Sequence, residues 1–207
     1  MTALDSFAPW VFLRSVLRNP LSVGAVAPSS PRLSRLVASS VTRKDCTILE
    51  VGAGTGSITG ALLDSGIDPE RLFVIERDPW LVAYLRDRFP CVQVHCGDAL
   101  HANSILERER VGKIDTLLSS LPIRNFKPPE QIALIQAMLK TLAPGGQLIQ
   151  YTYAPCCPIP ALKLGLNAEC LGRVWMNVPP AAVWRFTRIE GSRRGTASIR
   201  VAAAGLY

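Results

Sequence analysis

Histidine is almost absent from this chain, which has only His95 and His101. None of its six cysteines, at 46, 91, 96, 156, 157 and 170, belongs to a C-x-x-C pair. The ligand spacing of a zinc site is therefore missing, and no metal is expected. Cys156 and Cys157 are neighbours, an awkward geometry for a shared disulfide. Free thiols in a reducing cytoplasm are the expectation. No apolar run approaches the roughly 20 residues that cross a bilayer. The N-terminus meets an acid, Asp5, before its first base, Arg14, which is unlike a secretory signal. Repeats and low-complexity tracts are lacking as well. These absences exclude a spanning protein and a disulfide-stapled secreted domain.

What is present fits one globular domain: 207 residues, 48% of them apolar. Acids are outnumbered, 16 against 23 basic groups, for a formal charge of +7. The excess sits at the ends, with balances of +5 over residues 1–44 and +5 over 173–207, around a middle of −3. An anionic partner is implied, either nucleic acid or a lipid surface.

Residues 9–19, P-W-V-F-L-R-S-V-L-R-N, have the spacing of a short helix stopped by Pro20. Trp10, Leu13 and Leu17 share one side, and Arg14 and Arg18 stack four apart on another. Two readings stand: a surface helix docked on the core, and an interfacial helix with Trp10 and Phe12 in the acyl boundary. Ser30 before Pro31 then predicts an N-cap and a helix to about Val41.

From Thr47 onward, apolar strands and helices alternate. Strands are expected at T-I-L-E-V, L-F-V-I-E, C-V-Q-V-H, K-I-D-T-L-L-S-S and Q-L-I-Q-Y-T-Y. Between them lie helices, including one opened by Asp78-Pro79 with Trp80, Leu81, Tyr84 and Leu85 on its buried face. Another runs from Pro128 to about Leu142. That alternation predicts a parallel sheet covered on both faces. R-V-W-M-N-V and V-W-R-F-T-R-I, separated by Pro179-Pro180, predict two antiparallel strands at the end.

E-V-G-A-G-T-G-S, Glu50 to Ser57, stands where the first strand turns into a helix. Glycines let backbone approach a ligand, and the helix start offers unpaired N–H groups. The spacing is G-x-G-x-G, and Ser57 occupies the third glycine of a pyrophosphate-binding turn. Glu76, ending the second strand, is placed to accept from ribose hydroxyls, and Asp98 after the third from an adenine amine. Each acid alone also reads as a helix cap. Together they lie along the edge where open α/β sheets bind ligands.

On these residues the chain resembles the class I S-adenosylmethionine-dependent methyltransferases. The resemblance implies a Rossmann-like α/β fold: a seven-stranded, mostly parallel sheet with a C-terminal antiparallel hairpin, helices on both faces and an N-terminal helical extension. It implies S-adenosylmethionine as cofactor and S-adenosylhomocysteine as product. Glu50, Gly52, Gly54, Gly56, Glu76, Asp98, Ala99 and Ser119 would bind the cofactor.

The same resemblance implies that the segments after strands four and five, S-S-L-P-I-R-N-F and Y-T-Y-A-P, carry the acceptor side. Ser120 stands where adenine N6-methyltransferases have Asn or Asp, and Ile123 where they have a base-stacking aromatic. These segments, with N-P-L-S-V-G-A-V-A-P-S-S and N-V-P-P-A-A-V-W-R-F-T-R, resemble bacterial phospholipid N-methyltransferases of the soluble, membrane-associated type. That family lies close to the ribosomal RNA adenine dimethyltransferases. The resemblance implies methylation of the phosphatidylethanolamine amine, and of its mono- and dimethyl derivatives, towards phosphatidylcholine. The alternatives are ornithine lipid as acceptor, an RNA adenine methyltransferase, and a nucleoside-binding protein without catalysis.

Tyr153 is the first candidate to orient the amine, and equally reads as a core aromatic closing its strand. Leu121, Pro122 and Trp184 are expected pocket walls. Trp10, Phe12, Arg14 and Arg18 are expected to bind an anionic membrane surface. The organisation expected is membrane-binding and lid helices at 1–44, with a cofactor lid at 24–30, a methyltransferase domain at 45–190 and a basic tail at 191–207. The protein is expected in the cytoplasm, peripherally attached to the inner membrane, with nucleic acid disfavoured as a partner.

Overall fold

The computed structural model describes residues 30–176 and 179–189, and the backbone of 199–201. Eight strands form one sheet in the order β3-β2-β1-β4-β5-β7-β6-β8. They are β1 (Ile48–Val51), β2 (Leu72–Glu76), β3 (Gln93–Cys96), β4 (Ile114–Ser119), β5 (Leu142–Thr152), β6 (Leu166–Val174), β7 (Ala181–Arg188) and β8 (Ile199–Val201). The first five pair in parallel, and β7 runs antiparallel to both β5 and β6. This is the Rossmann-like sheet with its terminal hairpin. The short β8, parallel to β6, adds an eighth strand inside the segment expected as a tail.

Two apolar layers flank the sheet. Helices α1 (Pro31–Ser39), α2 (Ser57–Asp64) and α3 (Pro79–Arg88) contribute Leu33, Val37, Leu62 and Leu85 to one. Helices α4 (Ala102–Arg108) and α5 (Pro128–Leu139) contribute Ile105, Ile135 and Met138 to the other. α1 falls within the expected N-terminal element, yet Leu33, Val37 and Ala38 are buried core residues. It is part of the domain.

Local chemistry sets most boundaries. Ser30 Oγ accepts the Leu33 N–H at 3.3 Å, capping α1 before Pro31. Asp78 caps α3 the same way through the Trp80 N–H at 2.9 Å. Three expectations are corrected. α5 ends at Leu139, and Ala143-Pro144-Gly145-Gly146 lies inside β5, where the register shifts between Ile114 and Thr116. The shift absorbs Gly145 at φ +75°. On α3, Leu81, Val82 and Leu85 are buried, whereas Trp80 and Tyr84 are exposed and stack at 5.9 Å. Finally, β6 starts at Leu166 and stops at Val174, which puts Trp175 and Met176 in the hairpin turn.

Candidate functional site

The strand order reverses between β1 and β4, so their carboxyl ends open a crevice where ligands bind in such sheets. Val51 and Ser119 are register partners at that point. After Val51 the backbone runs through Gly52, Gly54 and Gly56, all in the left-handed region at φ +73°, +59° and +76°. Side chains are also excluded for space. A Cβ on Gly52 would stand 2.5 Å from Leu121 Cδ2, and one on Gly56 2.5 Å from Phe89 Cε2. The loop is thus pressed against the segment following β4 on one side and α3 on the other.

Glu76 is buried at the end of β2. Its Oε2 accepts the Gly54 N–H at 3.0 Å, and its Oε1 accepts those of Arg77 at 2.8 Å and Asp78 at 3.0 Å. Of about four lone-pair directions on a carboxylate, one is left on Oε2. A ribose would therefore find room for one hydroxyl, and the second must share. Asp98 caps the turn at Ala99–His101 through the Leu100 N–H at 2.9 Å, and its Oδ2 lies 3.6 Å from Arg77 Nη1. Ala99 is buried beside it.

Glu50 is fully buried. Thr59 Oγ1 donates to its Oε2 at 2.6 Å, while Oε1 has no partner. Burial pushes its pKa up to about 7, offset by the Thr59 hydroxyl and reinforced by the negative charge of Glu76. An orphaned carboxylate oxygen under a left-handed glycine loop fits a ligand that carries an ammonium group, as S-adenosylmethionine does.

The cofactor-binding candidate Ser119 is buried at the end of β4, and its Oγ accepts the Leu121 N–H at 3.4 Å. Leu121 is buried and abuts Gly52, with half-buried Pro122 beyond it. Tyr153, also half-buried, meets Tyr151 edge-on at 5.9 Å, and both pack with the layer formed by α1–α3. Trp184, an expected pocket wall, belongs with Leu121 to the layer on the other face of the sheet from Tyr153. At 2% exposure it lies within the core, so the structure does not bring it together with Tyr153. Period-two alternation explains this, because Trp184 pairs with Gln150, one residue out of phase with Tyr151 and Tyr153. The membrane-binding candidates Trp10, Phe12, Arg14 and Arg18, and residues 24–29 of the expected lid, lie outside the described residues.

Two residues that brace the candidate site were not foreseen. Thr59 carries no sequence signal for its bond to Glu50. Gln150 did carry one, as a polar residue inside an apolar strand. Its Nε2 donates to the Leu121 carbonyl at 3.0 Å and the Tyr151 carbonyl at 2.8 Å, fixing the segment after β4.

Residues 48–146 match the family model described as a methyltransferase domain. An ornithine lipid N-methyltransferase of Singulisphaera acidiphila is 32% identical over 150 residues, covering 70% of this chain and 78% of that protein. A ribosomal RNA small subunit methyltransferase A of Chlorobium phaeobacteroides is 41% identical over only 66 residues, 32% of this chain and 23% of that protein. The structure of an O-methyltransferase from Bacillus cereus in complex with S-adenosylhomocysteine superposes with a TM-score of 0.60 at 17% identity, covering 86% of this chain and 88% of that one. Among the described residues no cluster of three metal-ligating side chains occurs. With the sheet, the glycine loop and its acids agreeing with these matches, the chain belongs to the class I S-adenosylmethionine-dependent methyltransferases.

Proposed function

We propose that this enzyme methylates the amino head group of a membrane lipid, with phosphatidylethanolamine and its partly methylated derivatives, or ornithine lipid, as acceptor. The observation that carries the reading is the similarity to the ornithine lipid N-methyltransferase, which extends over 78% of that protein. The similarity to a ribosomal RNA enzyme is short by comparison. Ser120 and Ile123, in place of a base-reading Asn and aromatic, also weigh against an adenine acceptor.

When bound, the cofactor supplies an electrophilic methyl group on a sulfonium. The chain's own residues hold and orient. The glycine loop and Glu76 fix the cofactor side, and Ser119, Leu121 and Gln150 fix the backbone that faces it. Holding a neutral amine in line with the methyl carbon is the main catalytic task. An ammonium has no lone pair, so its proton leaves first, to water or to a nearby group. Tyr153 is the side chain assigned to orient the amine. No described helix is long and apolar enough to cross a membrane. Attachment is proposed to be peripheral, on the cytoplasmic face, through the basic and aromatic N-terminal residues.

Labelled S-adenosylmethionine offered with phosphatidylethanolamine micelles, ornithine lipid micelles and ribosomal RNA tests the reading. Label is expected in a lipid amine. Label in RNA alone overturns it.

A further inference from the structure

Trp175 and Met176 are 65% and 75% exposed, large apolar side chains offered to solvent at the tip of the β6–β7 hairpin. Topology fixes where that tip points. β7 is antiparallel to β5, and β6 is antiparallel to β7, so β6 runs in the direction of β5. Its carboxyl end therefore emerges at the same sheet edge as the glycine loop, Glu76 and the segment after β4. Among the described residues, the charged side chains in contact with the tip are basic. The Arg173 guanidinium lies over the Trp175 ring, 5.8 Å from its centroid, and Arg32 Nη1 contacts Met176 Sδ. Neither residues 30–42 nor residues 170–189 contain a carboxylate.

We propose that this tip is a membrane anchor, in which Trp175 and Met176 enter the lipid interface while Arg173 and Arg32 meet anionic head groups. An amphipathic ring and a flexible thioether beside guanidinium groups have the composition of interfacial contacts. Such an anchor sets the cofactor mouth against the bilayer, where a lipid amine resides. The proposal rests on the aminolipid reading above and assigns it a docking surface. It also explains exposed apolar bulk at a turn, where polar residues would serve solubility better.

The test uses the full chain and the double variant Trp175→Ala/Met176→Ala. Sedimentation with phosphatidylcholine vesicles rich in phosphatidylglycerol is expected to show partition weaker by roughly tenfold or more. Trp175→Phe should restore part of it. Arg173→Gln should weaken binding to these vesicles but not to vesicles of phosphatidylcholine alone. Methylation of a short-chain, monomerically dissolved phosphatidylethanolamine or ornithine lipid should be unchanged in the double variant. Equal sedimentation of wild type and variant overturns the anchor while leaving the aminolipid reading intact. No methylation of either dissolved lipid by wild type overturns that reading, and the anchor with it. Loss of cofactor affinity or thermal stability in the double variant would assign the tip to packing within the chain, and so also overturns the proposal.

Discussion

The Gly54 N–H donates to Glu76 Oε2 at 3.0 Å, tying the carboxylate that ends β2 to the glycine loop that follows β1. With the Arg77 and Asp78 N–H groups on Oε1, three backbone donors converge on one buried side chain. Glu76 is thus part of the scaffold, besides being the proposed ribose partner of the cofactor.

Replacing Glu76 by Gln keeps size but turns an amide NH2 towards at least one of those donors. An unsatisfied buried group costs about 1–3 kcal/mol. Glu76→Gln should unfold at lower urea concentration and bind S-adenosylmethionine at least roughly tenfold more weakly. Denaturation and calorimetric titration read the two effects separately. Wild-type values in both would remove Glu76 from either role.

Glu50 makes stability depend on pH. Its folded pKa, about 7, exceeds the ordinary value of 4.5 because burial penalises the carboxylate. The folded state therefore holds its proton more tightly than the unfolded one. The stability this confers is complete below pH 4.5 and is lost as pH rises to about 7, on the order of 3 kcal/mol in all. Glu50→Gln removes that dependence and keeps an acceptor for Thr59. Its Tm relative to wild type should rise between pH 5 and pH 8, followed by thermal melts across the range. A constant difference would refute the assignment.

Two glycines separate strain from contact. Gly66, at φ +89°, has nothing within 4 Å of a built Cβ, whereas Gly56, at φ +76°, would place one 2.5 Å from Phe89 Cε2 and 2.7 Å from Leu85 Cδ2. Gly66→Ala should lose only the left-handed penalty, about 1–2 kcal/mol. Gly56→Ala adds overpacking of about 1–3 kcal/mol and displaces α3 from the loop, so cofactor affinity should fall with it. Equal urea midpoints for the two variants would contradict this.

The positions of the two acids along the sheet edge were legible because each stands at or just after a strand end and is followed by a turn or cap that the sequence spells out. Glu76 precedes Asp78-Pro79, and Asp98 precedes its 3-10 turn. The hairpin was legible from Pro179-Pro180. The acceptor side was less so, since it depends on which layer a side chain joins. Trp184 and Tyr153 both read as aromatics near strand ends, and only the pairing of Trp184 with Gln150 sends them to opposite layers. Trp80 and Tyr84 fell on the solvent side of α3 because Leu81, Val82 and Leu85 already fill its contact with the sheet. Helical spacing alone does not choose between such neighbouring stripes.

Gln150 links that pairing to the acceptor side. Its amide holds the carbonyls of Leu121 and Tyr151, while its Oε1 and the Nε1 of its cross-strand partner Trp184 are both buried without partners. Gln150→Leu conserves volume and removes the orphaned Oε1, but it takes a donor from the Leu121 carbonyl, which then keeps only the Ile123 N–H at 2.8 Å. The lost bonds should outweigh the relieved oxygen, for a net destabilisation of about 1 kcal/mol. Leu121 faces Gly52 from the proposed acceptor side, so the loosened segment should raise KM for the methyl acceptor while leaving cofactor affinity within about twofold, under 0.5 kcal/mol. Equal losses in both would mean that Gln150 serves the whole crevice. An unchanged acceptor KM in a destabilised protein would confine it to the core.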